Sequence, residues 1–465
     1  MLNICRKFFS ELEKENIIYV HWKSNEHLIE DLNGESDLDL LLRFADKYAL
    51  EKVFESLDIK RFEAKNDAAY DGIEDYIGYD EESGKIIHFH IHFKLIIGLK
   101  YLKEYHLPWE EIIFKTRIKH PKTDIWIINH ELELLLLIIR EALRINFSKL
   151  FKLKTFHHSE KAKREFDWLK SKHSENQFNT FSQDLIREKE TILLVSATIT
   201  NGLKEEFTIK LRSKFQRIFR SNIRFNLVKL SLLKTKRLIK KTVYVILYRV
   251  LNYTPEKRVS PRNGLVVALV GSDGSGKSTM ASELKKFYQK KITVKMVYFG
   301  QYKANNTLFK LILRLLYKLN LKPIINLRFK QRQFRKTQKY NKKGYLVICD
   351  RFPQNQYGMI MDGPMLAEKR KSANPFLRIL SRREEYFYKE LVHAPLKIVF
   401  KLLIDEDTAV KREAISRDLA KEKVKITRDL YFDSGVNVVS IDHTHHAYSI
   451  RDVKHIMTNE IWKEL

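Results

Sequence analysis

The nine residues Gly271-Ser272-Asp273-Gly274-Ser275-Gly276-Lys277-Ser278-Thr279 constrain this chain more than any other stretch. They fit the spacing G-x-x-x-x-G-K-[ST]. They lie between a continuous apolar run, Leu265–Val270, and a helical pattern, MASELKKFYQKK. An apolar run of that kind suits a strand buried on both faces, as in a parallel sheet. The glycines let backbone N–H groups close around phosphate oxygens, and the following helix N-terminus adds positive potential. Lys277 would reach the β- and γ-phosphates of ATP, and Ser278 would ligate Mg²⁺.

Two later strand ends fit the same chemistry. Tyr345–Cys349 runs into Asp350-Arg351. A carboxylate at the carboxyl end of a parallel strand stands where such sheets bind ligands. Asp350 could hold Mg²⁺ through water or take the proton of an incoming hydroxyl. Arg351 could clamp a substrate phosphate with two N–H groups. The run Leu396–Ile404 leads into DEDTAVKREAISRD, which carries Arg412 and Arg417. Arginines on a mobile segment can close over a phosphoryl group in transfer.

From about Gly264 onward the chain resembles thymidylate kinase and its relatives in the nucleoside-monophosphate-kinase group. The resemblance rests on the Asp273-containing loop, the Asp350-Arg351 pair and the strand–helix with Arg412 and Arg417. VNVVSIDHTHHAYSIRDVKHIM is similar to that family's last strand and helix. The resemblance implies ATP, Mg²⁺ and transfer of the γ-phosphate to an acceptor. Where the family carries Arg-Glu-Pro-Gly, this chain has Tyr298-Phe299-Gly300-Gln301, and after Asp350-Arg351 it has PQNQYGMIMDGPM. The Tyr302–Lys343 insertion is also foreign to the soluble enzyme. These departures bring the chain closer to thymidylate-kinase-like proteins of bacterial surface-polysaccharide loci, for which Asp362-Gly363-Pro364 is one mark. A sugar or polyol acceptor is what that subgroup implies.

A second motif lies near the start. LNGESDLDLLL places Gly34 and Ser36 in a turn before Asp37-Leu38-Asp39 on an apolar strand. Residues i and i+2 of a strand share a face, so Asp37 and Asp39 could hold one Mg²⁺ and the phosphates of a nucleotide. This resembles the minimal nucleotidyltransferase pattern of the polymerase-β-like fold. Tyr19-Val20-His21-Trp22-Lys23 and Ile91-His92-Phe93-Lys94 look like the uncharacterised nucleotidyltransferases of polysaccharide loci. The family's third carboxylate is expected on Ile86–Phe93. That strand instead offers His88, His90 and His92, with His90 in the acid's place. Three histidines at alternate strand positions could bind a transition metal, or could simply line the face beside a site.

The fold class expected is α/β multidomain. Residues 1–128 would form an α+β nucleotidyltransferase-like domain, 129–262 a helical, basic connector, and 263–465 a P-loop parallel α/β kinase fold. Asn129 is placed to cap a helix through HELELLLLIIREALRI, with Glu131 and Glu133 in its first turn. The net charge of +28 lies in two stretches. Phe207–Arg262 carries 16 Lys and Arg against one acid, and Tyr302–Lys343 carries 13 against none. Leu227–Tyr253 interleaves Lys234, Lys236, Arg237, Lys240 and Lys241 with apolar residues, a pattern suited to an anionic membrane surface. Nucleic acid is the weaker expectation, because no recognition motif accompanies the charge. Two cysteines, Cys5 and Cys349, are too few for a disulfide framework and fit a cytoplasmic protein, with the basic segments able to lie on the inner membrane surface. Three readings follow. The first is a phosphotransferase acting on a nucleotide, sugar or polyol, fused to a nucleotidyltransferase-like domain. The second is a deoxynucleoside-monophosphate (thymidylate) kinase with an accessory domain. The third is an ATP-gated protein that binds membrane or nucleic acid without turnover.

Overall fold

The structure is a computed structural model. It describes the chain apart from residues 66–68, 101, 146–156, 252–255, 303–321, 359–360, 414 and 445–447, with backbone alone at 241–242 and 244–251. The chain divides into two compact units, Met1–Glu256 and Lys257–Leu465. Both mix helices and strands, as the expected α/β multidomain class requires.

The first unit is built on a mixed sheet. Its strands include β1 (Tyr19–His21), β2 (Asp37–Leu42), β3 (Lys60–Ala64), β4 (Ile73–Asp80), β5 (Lys85–His92), β6 (Ile118–Lys119) and β7 (Trp126–Ile127). They neighbour one another in the order β3-β4-β5-β2-β1-β7-β6. β2 runs parallel to β5 and antiparallel to β1, and β4 runs antiparallel to β5. The strand period of two sorts the side chains. Leu38, Leu40 and Leu42 of β2, with Ile87, Phe89 and Ile91 of β5, turn to a core shared with α1 (Asn3–Lys14) and α2 (Lys47–Ser56). Phe8, Phe54 and Phe89 meet there, the first two stacked at 5.3 Å. The intervening residues Asp37, Asp39, His88, His90 and His92 turn to the other face.

Part of that other face is covered by helices. Val20, Trp22 and Leu41 share a second core with α3 (His130–Leu143) and with α4 (Glu160–Lys172), α5 (Glu175–Ile186), α6 (Lys189–Asn201) and α7 (Glu205–Ile218). Asn129 caps α3 as expected, its side chain accepting from the N–H groups of Glu131 and Leu132. The leucine run of α3 is buried, so the helical stretch and the strands share one core instead of standing apart. α8 (Leu227–Leu251) follows. Among the described residues no helix is long and apolar enough to cross a membrane.

The second unit holds β8 (Val266–Gly271), β9 (Val294–Tyr298), β10 (Leu346–Asp350), β11 (Leu396–Leu403) and β12 (Asn437–Asp442). They form an all-parallel sheet in the order β9-β10-β8-β11-β12, with β8 central. Every residue of β8 and β10 is buried, as the apolar runs require. Of the basic insertion, residues 303–321 lie outside the described residues. The rest is α10 (Lys322–Lys342), which sends Leu327 and Phe334 into the core of the sheet. Its apolar residues therefore serve packing, with its lysines and arginines mostly outside.

Candidate functional site

In the second unit the glycine-rich loop joins β8 to α9 (Lys277–Tyr288). Gly274 and Gly276 take φ of +76° and +89°, conformations an L side chain rarely adopts. A Cβ on Gly271 would come within 2.4 Å of Ser275 Oγ and 2.7 Å of Leu402 O. The loop is therefore wound too tightly for side chains there. Lys277 is buried, and its ammonium turns back into the loop to donate to Ser272 O at 2.5 Å and Ser275 Oγ at 3.3 Å. Burial pushes that ammonium down to about 8, and Arg351 adds to the depression.

Ser278 and Asp350 meet at the mouth of the loop, where Ser278 Oγ donates to Asp350 Oδ2 at 2.7 Å. Asp350 Oδ1 is buried with no hydrogen-bond partner. A hydroxyl and a carboxylate with one oxygen to spare are the hard oxygen donors that Mg²⁺ prefers, so these residues fit the ion.

Arg351 adopts φ of +68° and reaches two carboxylates, Asp273 Oδ1 at 3.0 Å and Asp362 Oδ2 at 3.4 Å. Burial opposes the guanidinium's charge, but Asp362 and Asp273 more than offset it and raise its pKa. Burial likewise opposes ionisation of Asp273, and Lys423 and Arg351 overcome it, holding the carboxyl below its usual value. Lys423, on α13 (Arg417–Asp429), bonds Asp273 Oδ2 directly. Nothing in its helix pattern marked it. Asp362 carries more than its charge, because its backbone carbonyl accepts from Lys330 Nζ and Tyr388 OH, both at 2.7 Å. A cleft beside the loop is lined by Lys277, Arg351, Phe352, Gln354, Met361 and Asp362. Gln354 shapes its wall by donating to the carbonyls of Tyr357 and Met361.

Arg412 ends α12 (Glu406–Arg412) beside the loop and donates to Gly274 O at 3.1 Å. Arg417 is elsewhere: its exposed guanidinium bonds Asp407 Oδ1 at 2.6 Å. The structure thus brings the loop, Asp350, Arg351 and Arg412 together and leaves Arg417 outside the group. Thr279, next to Ser278, is exposed on the first turn of α9.

Comparison with known proteins finds relatives of this chain. Two Escherichia coli (strain K12) proteins, the uncharacterised ATP-binding proteins YghS and YghR, are 28% and 25% identical to it. The matches cover 40% and 38% of this chain and 88% and 80% of theirs. No family model matches the chain. Among solved structures, thymidylate kinase from Candida albicans matches at 14% identity and a TM-score of 0.28, over 43% of this chain and 92% of that one. Deoxyadenosine kinase from M. mycoides with bound dATP matches at 14% and 0.28, over 42% and 99%.

The first unit gathers its own polar cluster on the same face of its sheet as the helices, largely buried. Pairing of β2 with β5 sets Asp37 opposite His88 and Asp39 opposite His90. Asp37 Oδ1 lies 3.0 Å from His88 Nδ1, and His88 Nε2 lies 2.6 Å from Asp75 Oδ1 on β4. β5 carries no carboxylate on this face; the neighbouring β4 sets Asp75 opposite His90. Asp39 Oδ1 is reached by Lys23 Nζ at 2.8 Å, His90 Nδ1 at 2.7 Å and His92 Nε2 at 3.5 Å. Burial opposes ionisation of Asp39, yet Lys23 and the two histidines hold its carboxyl well below the usual range. Burial lowers both His90 and His92. Lys103 is pushed down to about 7, by burial first and then by Lys23. Gly34, at φ of +75°, forms the turn before β2, and Ser36 follows it.

Proposed function

We propose that the second unit transfers the γ-phosphoryl group of ATP to a small acceptor bound at Arg351 beside the loop. The observation that carries this reading is the Ser278–Asp350 hydrogen bond at the mouth of a loop whose lysine turns inward. Lys277 and the loop amides of Gly271 to Thr279 hold the phosphates. Mg²⁺, held by Ser278 and Asp350, would neutralise developing charge on the β- and γ-oxygens. An acceptor oxygen bonds to the γ-phosphorus, the bond to the β,γ-bridging oxygen breaks, and ADP leaves. The acceptor's proton passes to Asp350 or to solvent. Arg351 exchanges Asp273 and Asp362 for the acceptor's phosphate or hydroxyl oxygens, and Arg412 covers the loop. The relatives described as ATP-binding proteins agree with the nucleotide. The acceptor is a nucleoside monophosphate, or a sugar or polyol phosphorylated for surface polysaccharide.

The test is phosphate transfer from ATP·Mg²⁺ to a panel of nucleoside monophosphates, sugars and polyols, with Lys277→Ala as control. Lys277-dependent product on dTMP would assign thymidylate kinase activity. Product on a sugar or polyol would assign the polysaccharide branch. ATP binding with no transfer to any acceptor would sink the reading in favour of an ATP-gated switch.

For the first unit, a nucleotidyltransferase-like reading is favoured by Asp37 and Asp39 sharing a face beside the turn at Gly34 and Ser36, with Asp75 near by. Asp37 and Asp39 would hold a divalent cation. Pyrophosphate release from a nucleoside triphosphate, lost in Asp39→Asn, checks it. The basic helix α8 suits a peripheral role at an anionic membrane surface, since Leu227, Val228 and Leu232 are more than three-fifths exposed between lysines.

A further inference from the structure

We infer that Asp39, His90 and His92 form a binding site for a nitrogen-preferring divalent transition metal, zinc or a chemical neighbour of it. The three ligand atoms close a small triangle. Asp39 Oδ1 stands 2.7 Å from His90 Nδ1 and 3.5 Å from His92 Nε2, and the two ring nitrogens are 3.2 Å apart. An ion about 2.0–2.2 Å from each ligand spans ligand–ligand edges of about 3.0–3.5 Å; the 3.2 and 3.5 Å edges already have that length, and the 2.7 Å edge between Asp39 and His90 must open by a few tenths of an ångström.

Hydrogen bonding alone leaves the arrangement unsatisfied. Two imidazole nitrogens face each other and one carboxylate oxygen. When one ring donates to Asp39, the other presents either a competing N–H or a bare lone pair to its neighbour. His92 is fully buried, and its remaining nitrogen, Nδ1, has no partner. Its ring is held edge-on against Trp22 at 5.1 Å, so it cannot swing away without disturbing the core. His90 and His92 occupy alternate positions of a strand paired on both sides, so the backbone itself sets their spacing.

The site already attracts positive charge. Lys23 Nζ lies 2.8 Å from the same Asp39 oxygen and is the cation an incoming ion would displace. Two imidazoles and one carboxylate discriminate against Mg²⁺ and Ca²⁺, which favour all-oxygen shells, and suit Zn²⁺, Co²⁺ or Fe²⁺. Three protein ligands leave further coordination positions. The side chains of Asp39 and His90 are 14% and 19% exposed, so those positions open toward solvent and a substrate oxygen. Beside the triangle, His88 Nε2 is hydrogen-bonded to Asp75 Oδ1 at 2.6 Å. The inference does not require nucleotidyl transfer; it changes only which ion Asp39 holds.

The test uses the untagged full chain, stripped with a chelator and titrated with Co²⁺ and Zn²⁺. One ion per chain is expected, with the visible bands of nitrogen-ligated Co²⁺. Mg²⁺ in large excess should not displace it. His90→Ala and His92→Ala should each abolish stoichiometric binding, while the surface variant His157→Ala keeps it. Because His92 is buried, its variant is read only if its circular dichroism matches the parent. X-ray absorption of the zinc-loaded parent chain gives a readout free of mutation: two imidazoles and an oxygen, with Zn–N about 2.0–2.1 Å. The site is overturned if the parent binds no Co²⁺ or Zn²⁺ stoichiometrically, if binding survives both histidine variants, or if the zinc spectrum shows fewer than two imidazoles. Pyrophosphate release by a chain that binds neither Co²⁺ nor Zn²⁺ in the titration would leave the nucleotidyltransferase reading standing and remove this one.

Discussion

The hydroxyl of Ser278 donates to Asp350 Oδ2 across 2.7 Å, joining the first turn of α9 to the end of β10. The two residues are 72 positions apart in sequence. Removing the carboxylate's charge should leave the loop folded and ATP bound, but weaken the ion between them. Asp350→Asn is expected to lower the transfer rate by about 10²–10³-fold, and Ser278→Ala by less. A Mg²⁺ titration checks the assignment, because the half-saturating concentration should rise in both variants. An unchanged Mg²⁺ profile would remove both residues from the ion's shell.

Gly274 is expected to resist replacement by alanine. Its φ of +76° disfavours any L side chain, and a Cβ would lie 3.0 Å from that of Arg412. The strain is about 1–2 kcal/mol, so ATP should bind about 5–30-fold more weakly. Calorimetric titration with ATP measures this. Gly276→Ala has open space around its added carbon, so its cost should come from backbone strain alone.

The two arginines should separate. Arg412 bonds a loop carbonyl and Arg417 bonds a surface carboxylate. Arg412→Ala should slow transfer about 10²-fold. Arg417→Ala should change it by less than about fivefold, as loss of an exposed pair does. Steady-state rates decide, and equal losses would mean that Arg417 swings onto the substrate.

Glu133 gives the first unit a pH dependence. Burial, and Glu165 beside it, push its carboxyl up to about 7. It accepts from the backbone N–H and side-chain amide of Asn25. The folded pKa is raised above the unfolded one, so the native state takes up a proton. The associated stability is fully present below about pH 4.5 and is lost as pH rises through 7. The span is on the order of 3 kcal/mol. Denaturant midpoints between pH 5 and 8 should fall in the parent and flatten in Glu133→Gln. A parallel fall in both proteins would assign the slope to another group.

The basic helix predicts a salt-sensitive affinity for lipid. Sedimentation with vesicles should rise with their anionic fraction and fall as salt is added. Replacing Leu227, Val228 and Leu232 together by Ser should reduce it even at low salt. Retention of full binding would return those residues to an ordinary exposed surface.

Much of the second unit was legible because one motif fixes both a strand and a helix. Leu265–Val270 could only be a buried strand once Gly271–Thr279 followed it, and Tyr345–Cys349 and Leu396–Ile404 are apolar for the same reason. The cleft was less legible. Lys423 and Lys330 reach Asp273 and Tyr388 from elements 150 and 58 positions off in sequence. No local period marks such partners. In the first unit the alternation in β2 and β5 announced Asp37, Asp39 and the histidines. β4 hid Asp75, because every residue from Tyr76 to Asp80 is buried and the alternation disappears. Arg417 looked equivalent to Arg412 on spacing alone. The break in helix between α12 and α13 turns it outward.

β2 has a parity. Its odd-numbered positions from Asp37 to Asp39 carry chemistry, and Leu38, Leu40 and Leu42 carry the fold. Losing or gaining one residue in the turn at Gly34 to Ser36 would exchange the two sets, burying the carboxylates and exposing the leucines. Losing or gaining two would leave each set on its own side. Length variation just before this strand is therefore expected in even steps, and a library of turn lengths should yield folded protein in an alternating series.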